Sequence, residues 1–179
     1  MEFVNARLYK KQVKRLYRSA FPRNERAPFW LLMKRCDTGR DTLYALIDDN
    51  EFIGLVYTIK TEKMVYVFFL AIEEKMRGKG YGTEVLKKLS EMYPDLAISL
   101  MIEDPDEEGA ENLDERINRL KFYERNGFRR LSIKINEAGV NYELLGTDDT
   151  VTQADFLMMM KDYVGPLLFK ILYRRTKTK

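Results

Sequence analysis

The sequence contains no histidine at all and a single cysteine, Cys36. Without histidine, the commonest metal ligand and the usual side-chain base at neutral pH are both missing, which excludes Ser-His, Cys-His and histidine-assisted acid–base chemistry. One cysteine cannot close an intramolecular disulfide and cannot supply the thiolates of a structural zinc site, so no metal is expected. Proton transfer is left to carboxylates, lysine, tyrosine or water. No stretch approaches the roughly 20 apolar residues of a membrane-spanning helix. Met1-Glu2-Phe3 opens the chain without the basic and apolar regions of a targeting segment, so a cytoplasmic location is expected. A large excess of charge is lacking too: 31 Lys and Arg stand against 28 Asp and Glu, for a net +3. That balance gives no reason to expect nucleic acid as a partner, because phosphate-backbone binding rests on many uncompensated cations.

What is present is enough for one core. The 179 residues, 45% of them hydrophobic and 33% charged, are too few for two comfortable domains, so a single domain over residues 1–179 is expected. From Leu8 to Ala20, apolar residues recur at helical spacing among basic ones, and Pro22 ends the run. Phe29 to Arg35 reads as a second, short helix. Three strand patterns follow, Thr42 to Ile47, Phe52 to Ile59 and Met64 to Ile72, separated by turn residues at Asp48-Asp49-Asn50 and Thr61-Glu62-Lys63. The third is apolar on both faces and should be central. A helix before Pro94, a strand over Leu96 to Ile102, an acidic loop from Glu103 to Glu115 and a helix ending at Asn126-Gly127 come next. Parallel pairing of the strands flanking the first of these helices is expected. Leu131 to Ile135 and Val140 to Leu145 read as a hairpin, and Thr152 as the cap of a helix reaching Tyr163. The fold class is therefore α/β of the α+β kind, with a mixed, mostly antiparallel central sheet flanked by helices.

Chemistry concentrates at Arg77-Gly78-Lys79-Gly80-Tyr81-Gly82-Thr83. The segment lies between a buried strand and a helix start, where successive backbone N–H groups and the helix dipole can face an anion. The glycines remove side chains that would hold a pyrophosphate away from the backbone, while Arg77 and Lys79 add positive charge. The spacing is neither that of a Walker A loop nor that of the dinucleotide fingerprint.

It does resemble the Q/R-x-x-G-x-G/A pattern of the GNAT superfamily of N-acetyltransferases, matched by Arg77, Gly80 and Gly82, with Leu70-Ala71-Ile72 as the preceding strand end. The later segment Leu120-Lys121-Phe122-Tyr123-Glu124-Arg125-Asn126-Gly127-Phe128 resembles that family's second signature. Phe21-Pro22-Arg23-Asn24-Glu25-Arg26 is similar to its substrate-side helix connection. The resemblance covers most of the chain from Leu8 to Leu145 and implies a GNAT-like acyl-CoA N-acyltransferase fold. It also implies acetyl-CoA as acetyl donor, and direct attack of a neutral amine on the thioester without a covalent enzyme intermediate. By resemblance, Leu70, Ala71, Ile72, Arg77, Gly78, Lys79, Gly80, Tyr81, Gly82 and Thr83 hold the coenzyme. A backbone N–H near Leu70 to Ile72 meets the developing oxyanion.

By the same resemblance Tyr123 protonates the departing sulfur; a phenol keeps its proton at pH 7. Glu103, directly after a buried strand, is the expected base, acting directly or through water, with Glu25 as the alternative. Where the family often has asparagine seven residues before the tyrosine, this sequence has Arg116, which could reach a phosphate or pantetheine group. Asn118 points well away from that face. The acceptor is a small-molecule or peptide amine that the sequence does not identify. No membrane partner is expected, and a homodimer is possible. Met158-Met159-Met160 reads as core rather than an adaptable apolar patch, and the tail from Arg174 as a plain terminus rather than a contact for an acidic partner or a membrane. The alternative to an enzyme is a non-catalytic acyl-CoA-binding sensor or interaction module, and a nucleotide-binding regulator is disfavoured by the missing Walker lysine.

Overall fold

The computed structural model describes residues 1–23, 26–39 and 41–176. The chain forms two compact units, the first from Met1–Lys60 and Val65–Met92, the second from Thr61–Met64 and Tyr93–Lys179.

The first unit is built on four antiparallel strands in chain order: β1 (Glu2–Asn5), β2 (Asp41–Asp48), β3 (Glu51–Lys60) and β4 (Met64–Ile72). β2 and β3 join through Asp49 and Asn50, both at positive φ, the backbone of a tight hairpin turn. Helix α1 (Lys10–Ala20) buries Val13, Leu16 and Tyr17, spaced three and four apart, while its basic residues face solvent. Tyr17 packs edge-on against Phe69 at 5.0 Å between ring centres, and its hydroxyl donates to the Ala27 carbonyl at 3.0 Å. α2 (Phe29–Arg35) buries Phe29, Leu32 and Met33. Its Arg35 donates to Asp41 at 2.6 Å, and Tyr57 donates to the same carboxylate oxygen at 3.0 Å, so the buried Asp41 is satisfied. α3 (Tyr81–Met92) turns Val85, Leu86 and Leu89 inward.

Two irregularities shape β4. The β3–β4 register shifts between Tyr57 and Thr58, whose partners are Phe69 and Val67, leaving Phe68 as the extra residue of a bulge. Gly54, paired with Ile72, allows a close approach: a Cβ there would lie 2.5 Å from the Ala71 carbonyl oxygen.

The second unit holds a three-stranded antiparallel sheet with β7 (Val140–Gly146) between β5 (Ala97–Glu103) and β6 (Arg129–Glu137). β6 is interrupted between Arg130 and Ile133, where Ser132 takes φ 57°. α4 (Leu113–Arg125) ends at Asn126 and the left-handed Gly127, and Phe128 re-enters the core. α5 (Gln153–Val164) starts in a capping box in which Thr152 and Asp155 satisfy each other's backbone N–H. Met159 and Met160 are core, whereas Met158 is exposed. α6 (Pro166–Leu172) follows from Gly165 and buries none of its residues. Among the described residues, no helix is long and apolar enough to cross a membrane.

The expected elements are present with boundaries moved by a few residues. β1 and α6 had no counterpart in the sequence reading, because four residues of edge strand and seven of exposed helix carry too short a period to register.

Candidate active site

In the first unit the site residues form one continuous path. β4 ends at Ile72, one turn of 3-10 helix covers Glu74–Met76, and the chain then swings through Arg77–Gly80 into α3. Gly78 and Gly80 sit at φ 73° and 86°, a region that costs an L-residue roughly 1–2 kcal/mol. A Cβ on either would meet nothing within 4 Å, so it is backbone conformation and open space, not crowding within the protein, that calls for glycine.

The residues from Arg77 to Gly80 are solvent-exposed, and the first-turn amides of α3 have no intrahelical acceptor. Arg77 donates from Nε to the Ile72 carbonyl at 3.2 Å, which ties the loop to the strand end. Its outer nitrogens are without partners among the described residues. Among the described residues, Lys79 reaches only the Met76 sulfur, at 3.4 Å. Two cations, left-handed glycines and a helix N-terminus together make a cradle suited to a pyrophosphate.

Tyr81 turns its side chain away from that cradle. Its hydroxyl donates to Asp48 at 2.8 Å, so the first residue of α3 is fastened to the β2–β3 turn. The hydrogen bond to Tyr81 contributes to holding the Asp48 carboxyl below its ordinary range, after the larger effect of the Met1 ammonium at 3.0 Å. This anchor has no local sequence signal, since its partners are 33 residues apart. Gly82 and Thr83 lie in the first turn of α3, while Leu70, Ala71 and Ile72 are the last residues of β4.

In the second unit, Arg116, Arg119 and Tyr123 are spaced i, i+3 and i+7 and share one face of α4. Glu103, the last residue of β5, is held at the Arg116 end of that face. Its carboxylate accepts from Arg116 Nη2 at 3.2 Å, Asn112 Nδ2 at 3.0 Å and Arg119 Nη1 at 3.5 Å. Tyr123 packs edge-on against Phe122 at 5.1 Å and Phe128 at 5.6 Å. Desolvation pushes its phenol up to about 12 against the opposing pull of Arg119, so the hydroxyl keeps its proton across the physiological range. Its oxygen has no hydrogen-bond partner among the described residues.

Arg116 does not do what its helix position suggested. The guanidinium is buried and fully engaged by Asn112 Oδ1 at 2.8 Å, the Asp104 carbonyl at 3.0 Å, Glu107 at 2.6 Å and Glu103. It staples the acidic loop to α4 and has no nitrogen left for a phosphate. The loop is correspondingly less anionic than its composition implies: Arg130 pairs with Asp106 and, at 2.7 Å, with the buried Glu143, while Lys134 takes Asp104 at 2.7 Å. Asp104, Asp106 and Glu143 lie close enough to hold a cation, but Arg130 and Lys134 already occupy that role. Asn118 is exposed. Glu25, the alternative base, lies outside the described residues.

The first unit thus carries a strand end leading into a glycine cradle at a helix start, and the second a neutral phenol on an aromatic helix. The chain belongs to the acetyltransferase (GNAT) family, whose model matches residues 10–128. No curated protein matches the sequence. Among solved structures, an acetyltransferase of the GNAT family from Bacteroides thetaiotaomicron, described as putative, is 22% identical over 97% of this chain and 98% of that one, with a TM-score of 0.74. An aminoglycoside 6'-N-acetyltransferase complexed with coenzyme A is 16% identical over 85% and 99%, with a TM-score of 0.66. A spermidine N-acetyltransferase chimera from Vibrio cholerae is 16% identical over 83% and 94%, with a TM-score of 0.63. At these identities the likeness shows the shared mixed α/β acyltransferase fold.

Proposed function

We propose that the chain is one acetyltransferase domain that passes the acetyl group of acetyl-CoA to a primary amine by direct attack. The observation that carries the reading is the path from the β4 end through two left-handed glycines into α3, in a chain whose family match runs through residues of both compact units. In this reading Gly78, Gly80, Gly82 and the first-turn amides of Tyr81 and Thr83 receive the pyrophosphate, with Arg77 and Lys79 adding charge. Leu70, Ala71 and Ile72 align the pantetheine arm and offer a backbone N–H to the thioester oxygen. Acetyl-CoA supplies an activated acyl group; no metal enters the scheme.

Tyr123 is the proton donor to the departing sulfur, a role supported by a phenol that stays neutral and has no hydrogen-bond partner among the described residues. Glu103 accepts the amine proton, through water. Three donors, Asn112, Arg116 and Arg119, hold its carboxylate in place at the end of β5. The solved relatives named for aminoglycosides and spermidine support a cationic polyamine-like acceptor, and a cytoplasmic enzyme fits such a substrate.

The test is calorimetry of the protein with acetyl-CoA and with ATP, repeated on Gly80→Asp, followed by coenzyme A release over a panel of aminoglycosides and polyamines. Micromolar binding of acetyl-CoA alone, lost in Gly80→Asp, with turnover on one panel member abolished in Tyr123→Phe, supports the reading. Tight binding without turnover on any amine assigns a non-catalytic acyl-CoA binder instead. Binding equal to that of ATP, or unaffected by Gly80→Asp, removes the coenzyme from the account.

A further inference from the structure

We propose that the exposed face formed by α6 together with Arg174 and Arg175 docks on the surface of an anionic phospholipid membrane. The acetyl-transfer reading uses none of these residues. Leu167, Leu168 and Ile171 are 78%, 45% and 59% exposed, and their i, i+1, i+4 spacing puts them on one side of the helix. Three aliphatic side chains standing in water on a helix that buries nothing are a cost with no return inside the unit. Lys170, Arg174 and Arg175 flank them, exposed, and none has a hydrogen-bond or ion-pair partner among the described residues.

Charge is segregated to match. Residues 166–179 contain five Lys and Arg and no acidic residue, and the rest of the chain carries 26 basic against 28 acidic residues. The net positive charge of the molecule therefore resides in this segment. Beside it lies a cavity of about 320 Å³ lined by Asn136, Gly139, Ile171, Leu172, Arg174 and Arg175. One wall is apolar, and the two unpaired guanidiniums can meet a phosphodiester. The Oδ1 of Asn136, buried and without a partner among the described residues, can accept from a headgroup hydroxyl or ammonium.

Together these suit a phospholipid, with its headgroup at the arginines and its acyl region at the leucines. Neither feature anchors alone; an apolar contact and a basic patch acting together give reversible docking. A nucleic acid would meet the cations and leave the three aliphatic side chains in water. A second copy of the chain fits less well, because the same face turned on itself across a two-fold axis sets cations against cations. Seven residues of helix also fall well short of the roughly 800 Å² per partner of a stable protein interface. The sequence alone favours a plain terminus over a membrane contact for the tail from Arg174; the exposed aliphatic face of α6 beside Arg174 and Arg175 reverses that preference.

The test is co-sedimentation of the whole protein with phosphatidylcholine vesicles, with and without phosphatidylglycerol. It is run on the wild type, on Arg174→Ser/Arg175→Ser and on Leu167→Ser/Ile171→Ser. Because Leu167, Ile171, Arg174 and Arg175 are exposed, both variants are expected to keep the wild-type melting temperature and acetyl-CoA affinity. Expected is binding that requires phosphatidylglycerol and weakens with salt, reduced about 25-fold by loss of the two arginines, at about 5-fold per cation. Loss of the two aliphatic side chains should cost about 10-fold or more. No phosphatidylglycerol dependence, or undiminished binding by Leu167→Ser/Ile171→Ser, overturns the proposal. So does saturation of Arg174 and Arg175 by inorganic phosphate in a protein that ignores vesicles, which marks a free-anion site. A dimer in light scattering that Leu167→Ser/Ile171→Ser dissociates, without vesicle binding, assigns the face to a second copy. If either variant fails to fold, the wild-type lipid and salt dependence decides by itself.

Discussion

Replacing Gly54 by alanine should damage the coenzyme side of the site from the strand that does not carry it. The added Cβ would lie 2.5 Å from the Ala71 carbonyl oxygen, 2.9 Å from Ile72 Cδ1 and 3.1 Å from Leu46 Cδ1. The two methyl groups can swing aside, but the carbonyl belongs to the β4 backbone and moves only if β4 moves. Overpacking of this kind costs about 1–3 kcal/mol. The lower backbone entropy of alanine in a strand returns about 0.5–1 kcal/mol. A net loss of about 1–2 kcal/mol lowers the melting temperature by roughly 3–6 °C for a chain of this size. If Leu70–Ile72 align the thioester as proposed, displacing Ala71 also forfeits about one hydrogen bond to the coenzyme, or roughly a ten-fold loss of acetyl-CoA affinity. Gly146→Ala in the second unit is the control. There a Cβ meets the Asp148 carbonyl and Leu131 Cδ1 at 3.0 Å, so stability should fall with acetyl-CoA affinity intact. Thermal unfolding and calorimetry on both variants read the two effects apart. Wild-type behaviour of Gly54→Ala, or an equal loss of affinity in Gly146→Ala, would refute the reasoning.

Tyr123→Phe should leave acetyl-CoA affinity unchanged while lowering kcat. It should also flatten the alkaline stability profile: a phenol raised to about 12 stabilises the fold below pH 10 and loses that contribution as pH climbs through 12, a slope phenylalanine lacks. Burial likewise raises Cys36 to about 11, so its thiol should react slowly with disulfide reagents at neutral pH in the native protein and quickly after denaturation; rapid native labelling would contradict the described packing. Arg116→Gln removes the staple of the acidic loop and strands Glu107, whose carboxyl the guanidinium holds below its ordinary range. We expect a loss of about 2–4 kcal/mol in chemical denaturation with unchanged acetyl-CoA binding, and a large loss of that binding would return Arg116 to the coenzyme.

Much of this protein was decided by local pattern. The apolar run of Phe52 to Ile59, the doubly apolar β4, the helical spacing of Val85, Leu86 and Leu89, and the Asn126-Gly127 stop are all written in neighbouring residues, and so is the glycine cradle at 78–82. Such features rest on propensity, period and φ, which depend on a few adjacent positions. The pairings across long separations came only with tertiary structure: Tyr81 with Asp48, Arg130 with Glu143, Tyr57 with the buried Asp41, and the bulge at Phe68 that depends on which residue of β3 lies opposite. Arg116 shows the difference most directly. Its helix face was legible, but whether its charge met a phosphate or a carboxylate depended on where the acidic loop closed back onto α4. Electrostatic partners are chosen by distance in space, and a sequence records only distance along the chain.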